Sequence, residues 1–137
     1  MNFAEINWLA VLIAGVVGIV VGALWFGPKA FYPIWWTALG QEPTDQPGDD
    51  SMAKVFGITF AAAFVQAITL AILIQALGVT DFLNGALLGA LVGFGIGAAT
   101  SVSHRLFGRQ GLTVWLIEVG QDIVGLTLMG AIIAGLG

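Results

Sequence analysis

The chain has 137 residues, of which 58% are hydrophobic and only 9% charged, with a net charge of −4, 20 glycines and no cysteine. A soluble domain carries about 25% charged residues to face water, so this composition, with its mean hydropathy of +0.99, argues against a water-soluble enzyme and a disordered chain. Net negative charge argues against nucleic acid as a partner, and the missing cysteine removes disulfides, thiolate metal sites and thiol nucleophiles.

What remains is an all-α integral membrane protein, a bundle of four transmembrane helices in a single domain over residues 1–137. A helix needs about 20 mostly apolar residues to cross the hydrocarbon core. The first such stretch covers about 6–26 and carries no charge after Glu5. It lacks the Lys or Arg that precedes a cleaved signal core, so it reads as a retained span. The loop 27–52 follows, in which Pro28 and Pro33 bracket Phe31, Tyr32, Trp35 and Trp36. Tyr and Trp favour the headgroup level, where an apolar ring and a polar edge are both satisfied. That predicts a short interfacial helix from about Pro33 to Leu39. Asp49, Asp50 and Ser51 are suited to cap the second span, about 53–77.

Gly78, then Thr80 and Asp81, supply a helix stop followed by a cap for the third span, about 82–103. So short a turn predicts that spans two and three are antiparallel neighbours. Gly108 to Gly111 makes a similar link to the fourth span, about 112–136. Strands of alternating polarity, as in a transmembrane β-barrel, are not evident.

Lys29, Lys54, Arg105 and Arg109 all fall on the side of loops 27–52 and 104–111. The positive-inside rule makes those loops cytoplasmic and puts both termini outside, in a prokaryotic plasma (inner) membrane. These four cations, with His104, Trp35 and Trp36, read as anchors at the cytoplasmic edge, their long stems snorkelling to the headgroups. One histidine is too few for a zinc cluster or a bis-imidazole haem, so no metal or cofactor is expected. No nucleophile sits beside a base and no glycine-rich phosphate loop precedes a helix, so no enzymatic activity is expected.

Gly85, Gly89, Gly93 and Gly97 recur every fourth residue on one face of the third span. Small residues at this spacing let helix backbones approach closely. The face serves either packing inside the four-helix monomer or contact between copies. Four short spans shield little interior from lipid, so a homo-oligomer is expected, with the bilayer as its surroundings. A different, unidentified membrane protein is the other candidate partner.

Glu118 and Asp122 are the two acids inside a span. Four residues apart, they share one helix face, and ionisable groups there cost roughly 2.5–3.5 kcal/mol each near the centre. Folding the spans about Gly108 and Val79 brings Thr100, Thr59 and Gln66 to similar depths, with Gln121 flanking. The pattern permits a polar layer of Thr59, Gln66, Thr100, Glu118, Gln121 and Asp122, able to hold a proton or cation. The structural alternatives are a neutral, hydrogen-bonded pair locking helix packing, or Glu118 paired with an Arg105 that reaches down from the edge. Two functions follow: a small proton- or cation-linked transporter or channel, or a non-catalytic scaffold or accessory subunit whose acids and glycines fix assembly.

Several motifs resemble a known family. Gly22-Ala23-Leu24-Trp25-Phe26-Gly27-Pro28 is similar to the Gly-Ala-Leu-Trp-Tyr signature of a small bacterial membrane family catalogued as domain of unknown function 1761, with Phe26 in place of the Tyr. Trp35-Trp36 with Leu39-Gly40, the glycines from Gly85 to Gly97, and Leu128-Met129-Gly130-Ala131-Ile132 resemble its first loop, third helix and final helix. The resemblance implies a four-helix membrane protein and supplies no activity.

Overall fold

The computed structural model describes residues 5–25, 34, 37–38, 49–109 and 111–136, with the side chains of 49–55 left aside. Four helices are long and apolar enough to cross a membrane. They are α1 (Trp8–Trp25), α2 (Asp49–Leu77), α3 (Phe82–Phe107) and α4 (Gly111–Leu136). In lipid only a helix or a closed barrel satisfies every backbone polar group, so apolar runs of this length become helices. Of the predicted interfacial helix from Pro33 to Leu39 only Ile34, Thr37 and Ala38 are among the described residues, too few to define a helix; the rest of it, with Trp35 and Trp36, as well as Lys29 and the side chain of Lys54, lies outside them.

The helix ends follow from particular side chains. Asn7 opens α1: its Oδ1 accepts the N–H of Ala10 at 3.2 Å, while its Nδ2 donates to the carbonyl of Leu136 at 3.0 Å. One residue thus caps α1 and ties it to the far end of α4. At the close of α2, Gly78 takes φ +70°, the N–H of Val79 reaches Ile74 O at 3.0 Å, and the N–H of Gly78 reaches Gln75 O at 3.2 Å. This is a Schellman stop, and its left-handed residue favours glycine. Asp81 then caps α3 by accepting the N–H of Asn84 at 3.0 Å, and Asn84 Nδ2 donates to its other oxygen at 2.8 Å. These hydrogen bonds, the backbone one first, hold the Asp81 carboxyl below its ordinary range.

α4 is the hub. It packs along α3 and α1 and also against α2, whereas α2 and α3 touch only slightly. The expectation that spans two and three pack as neighbours is therefore corrected. The reason lies in the glycines. A Cβ at Gly85 would strike the carbonyl of Gly130, one at Gly130 would strike that of Gly85, and one at Gly89 would strike that of Leu126. A Cβ at Gly93 would continue the seam, 3.0 Å from the Cα of Ile123, while one at Gly97 would meet no other helix among the described residues. The smooth face of α3 is occupied by α4 of the same chain, leaving α2 no comparable surface on α3.

The dry core lies toward the ends of α2 and α4 and the start of α1, around Val11, Ala14, Leu70, Ile74, Met129 and Ile133. Among the described residues no polar or charged side chain is buried. The outward faces are apolar instead, with Leu24 71% and Phe94 69% exposed, as a lipid-facing surface requires. From Phe56 to Ala62 every residue of α2 is exposed, so this part of the helix stands clear of the bundle.

α3 is not wound uniformly. Gly93–Ala98 is a π-helical segment between two α-helical stretches. Such an insertion disturbs the regular ladder and leaves a carbonyl to be met by a side chain.

Candidate functional site: an intramembrane charge cluster

The cluster is built at the α3–α4 turn. Arg105 sits in the last turn of α3, and the chain reverses through Gly108, Arg109 at φ +60° and Gly111 at φ +87°. The reversal lays α4 back along α3, so that Arg105 Nη2 meets Glu118 Oε2 at 2.5 Å. Of the alternatives open in the sequence, the structure places Glu118 in an ion pair with Arg105. Both side chains keep some exposure, 35% for Arg105 and 21% for Glu118.

One helical turn further, Asp122 lies within electrostatic reach of both Glu118 and Arg105. It is half-buried and has no hydrogen bond or ion pair at contact distance among the described residues. Gly111 opens α4, so Asp122 lies about 16 Å along the helix from its start at 1.5 Å per residue.

Two indoles bracket the acids. Trp115 Nε1 donates to the carbonyl of Ala98 at 3.0 Å, and Ser101 Oγ donates to the same carbonyl at 3.3 Å. Ala98 closes the π segment, so Trp115 satisfies backbone where the winding changes. From the other side, Trp25 Nε1 donates to the carbonyl of Ile117 at 2.8 Å. The Trp25 ring also lies where a Cβ on Gly120 would sit. The Gln121 amide nitrogen lies 3.6 Å from the Cβ positions of both Gly22 and Gly125, in the crevice between α1 and α4.

The six residues of the expected polar layer are not all gathered. Arg105 joins Glu118 and Asp122, and Gln121 lies on the α1 side of the same helix. Thr59 and Gln66 on α2 and Thr100 on α3 are exposed. His104 and Arg109 are exposed at the turn. Sequence reasoning missed the π segment and gave Trp25 and Trp115 no role in the cluster. Trp115 had a signal, since it falls on the same stripe as Glu118 and Asp122, whereas nothing in Gly93–Ala98 announces π winding. Glu118 and Asp122 offer two carboxylates to a proton or a cation, and no group of three metal-ligating side chains occurs among the described residues.

Four apolar helices carrying an internal charge cluster define an α-helical membrane protein. Residues 9–134 match a family described as protein of unknown function (DUF1761), and the chain belongs to that family. No curated protein and no solved structure matches the chain.

Proposed function

We propose that the protein is a small oligomeric transporter or channel for protons or a cation, with Asp122 as the group that takes up and releases the charge. The observation that supports this reading is the charge balance of the cluster. Arg105 neutralises Glu118, which leaves Asp122 as one carboxylate in excess inside a span. A lone carboxylate at that depth is costly, and either a proton or a monovalent cation removes the cost. Glu118 and Arg105 then set the field that Asp122 feels, and Gln121 offers an amide on the α1 side of the same helix.

Purified protein in liposomes tests the reading. Wild type should move protons or a cation above the level of empty liposomes, and Asp122→Asn should lower the flux at least about tenfold, the order expected for losing a charged group worth more than 1.4 kcal/mol. Flux equal to that of empty liposomes across pH and candidate cations would sink it. The Arg105–Glu118 pair also favours a second reading, a scaffold or accessory subunit in which the cluster clamps α3 to α4. On that reading Asp122→Asn and Glu118→Gln change oligomer size and leave no flux to lose.

The orientation that accompanies the proposal has loops 27–52 and 104–111 in the cytoplasm of a prokaryotic cell and both termini outside. A C-terminal fusion to an enzyme active only outside the cytoplasm should be active. Labelling of the C-terminus from the cytoplasm would reverse the assignment.

A further inference from the structure

Gly85, Gly89, Gly93 and Gly97 form one unbroken repeat in the sequence, yet only the first three lie on α4. The buried residue of α3 that follows Gly93 is Ala98, five positions on instead of four. Gly97 is left half-buried, where a Cβ would meet no other helix among the described residues. The π segment is the cause. It takes up one residue more than α winding, so every face after it is set back by one position. Eleven residues make about three α-helical turns, so an unbroken α-helix would turn His104 to the face of Gly93. In the structure Arg105 is there, paired with Glu118, and His104 is exposed.

The two parts of α3 are held differently. The part before Gly93 is fixed to α4 by glycine contacts with backbone. Ala99–Phe107, which carries Arg105, contains no buried residue. Beyond it the chain turns through Gly108, Arg109 and Gly111, the last two at positive φ, and a few such residues can absorb a change in helix direction. The link that holds the π form is Trp115, whose Nε1 donates to the carbonyl of Ala98 at 3.0 Å.

We propose that α3 switches between two windings. In the π form, Ala98 occupies the seam and Arg105 faces Glu118. In the other, Gly93–Ala98 winds as α-helix and Gly97 enters the seam in place of Ala98. Ala99–Phe107 then turns by about 100° and shifts by about 1.5 Å, the step of one residue. That step carries Arg105 off α4 and brings His104 toward Glu118. The acids exchange a guanidinium for an imidazole, and Glu118 loses the partner that balances it. The second winding also gives the fourth glycine of the repeat the place on α4 that its spacing implies. The switch goes beyond the transport reading, because the winding can be followed whether or not any ion crosses the membrane.

The chain has no cysteine, so introduced pairs report the winding without background. In full-length protein in membranes, His104→Cys/Glu118→Cys and Arg105→Cys/Glu118→Cys should both give an intramolecular cross-link with a short bifunctional methanethiosulfonate. Leu106→Cys/Glu118→Cys should not. Adding Trp115→Phe removes the hydrogen bond that holds the π form, and should raise the ratio of the 104 to the 105 cross-link about fivefold, the size expected for one net hydrogen bond. Adding Gly97→Leu should abolish the 104 cross-link and spare the 105 one, since leucine cannot enter the seam but meets no other helix where Gly97 now lies. No 104 cross-link even with Trp115→Phe would mean a single winding and overturn the proposal. So would a 104 cross-link that survives Gly97→Leu, or one at 106 of equal yield, which marks fraying of the helix end. Absence of both the 104 and 105 cross-links would remove Arg105 from α4, and the switch with it.

Discussion

Gly89→Leu is expected to destabilise the bundle by about 3 kcal/mol, at the upper end of what an overpacked contact costs. The group that a Cβ would meet is the Leu126 carbonyl, with the Cα of Thr127 3.0 Å away. Backbone cannot swing aside as a side-chain tip can, so α3 and α4 must separate over their shared length. Gly85→Leu and Gly130→Leu should act alike, because each would drive a side chain into the other's carbonyl. Gly57→Leu is the control, since a Cβ there would meet no packed neighbour within 4 Å among the described residues. Denaturant titration in mild detergent, followed by protection of a single introduced cysteine, reads the loss. Equal stability of Gly89→Leu and Gly57→Leu would mean that α3 does not lie on α4 in this way.

The second large effect is expected at the ion pair. Arg105→Gln leaves Glu118 and Asp122 as two unneutralised carboxylates in the membrane, and should cost about 2 kcal/mol. A fully buried pair loses roughly 3–5 kcal/mol when one partner is removed. The partial exposure of both side chains calls for a discount. Glu118→Gln should cost less, because Arg105 retains Asp122 within electrostatic reach. The double variant Arg105→Gln/Glu118→Gln should recover much of the loss, since the cluster returns to a single excess carboxylate. Unfolding of all four proteins completes a double-mutant cycle. Strictly additive losses would show that the two residues are not coupled.

Much of the fold was legible from the sequence because it depends on length and local chemistry. The apolar stretches predicted α1 and α4 to within two residues, and Gly78 and Asp81 act as the stop and cap that their types imply. The turn at Gly108 and the shared face of Glu118 and Asp122 were equally readable. What surrounds them was not. Spans that are apolar all round carry no directional stripe, so nothing in the sequence could say that α4 lies between its neighbours or that the start of α2 stands clear of them. The depth argument placed Thr59, Gln66 and Thr100 level with the acids, but equal depth does not decide which way a side chain points. The π segment adds a second difficulty. It shifts the face presented by everything after Gly93 relative to an ideal helix, including Thr100.

The central position of α4 has a consequence for how the chain is made. Synthesis runs from the N-terminus, so the helix that touches all three others leaves the ribosome after them. Until it arrives, α1 and α2 can pair with each other, but α3 has only slight contact with α2. Its glycine face must meanwhile rest against lipid or a membrane chaperone. Assembly of these four helices is thus completed only after α4 is translated, and a chain stalled before Gly111 lacks the helix on which the other three pack.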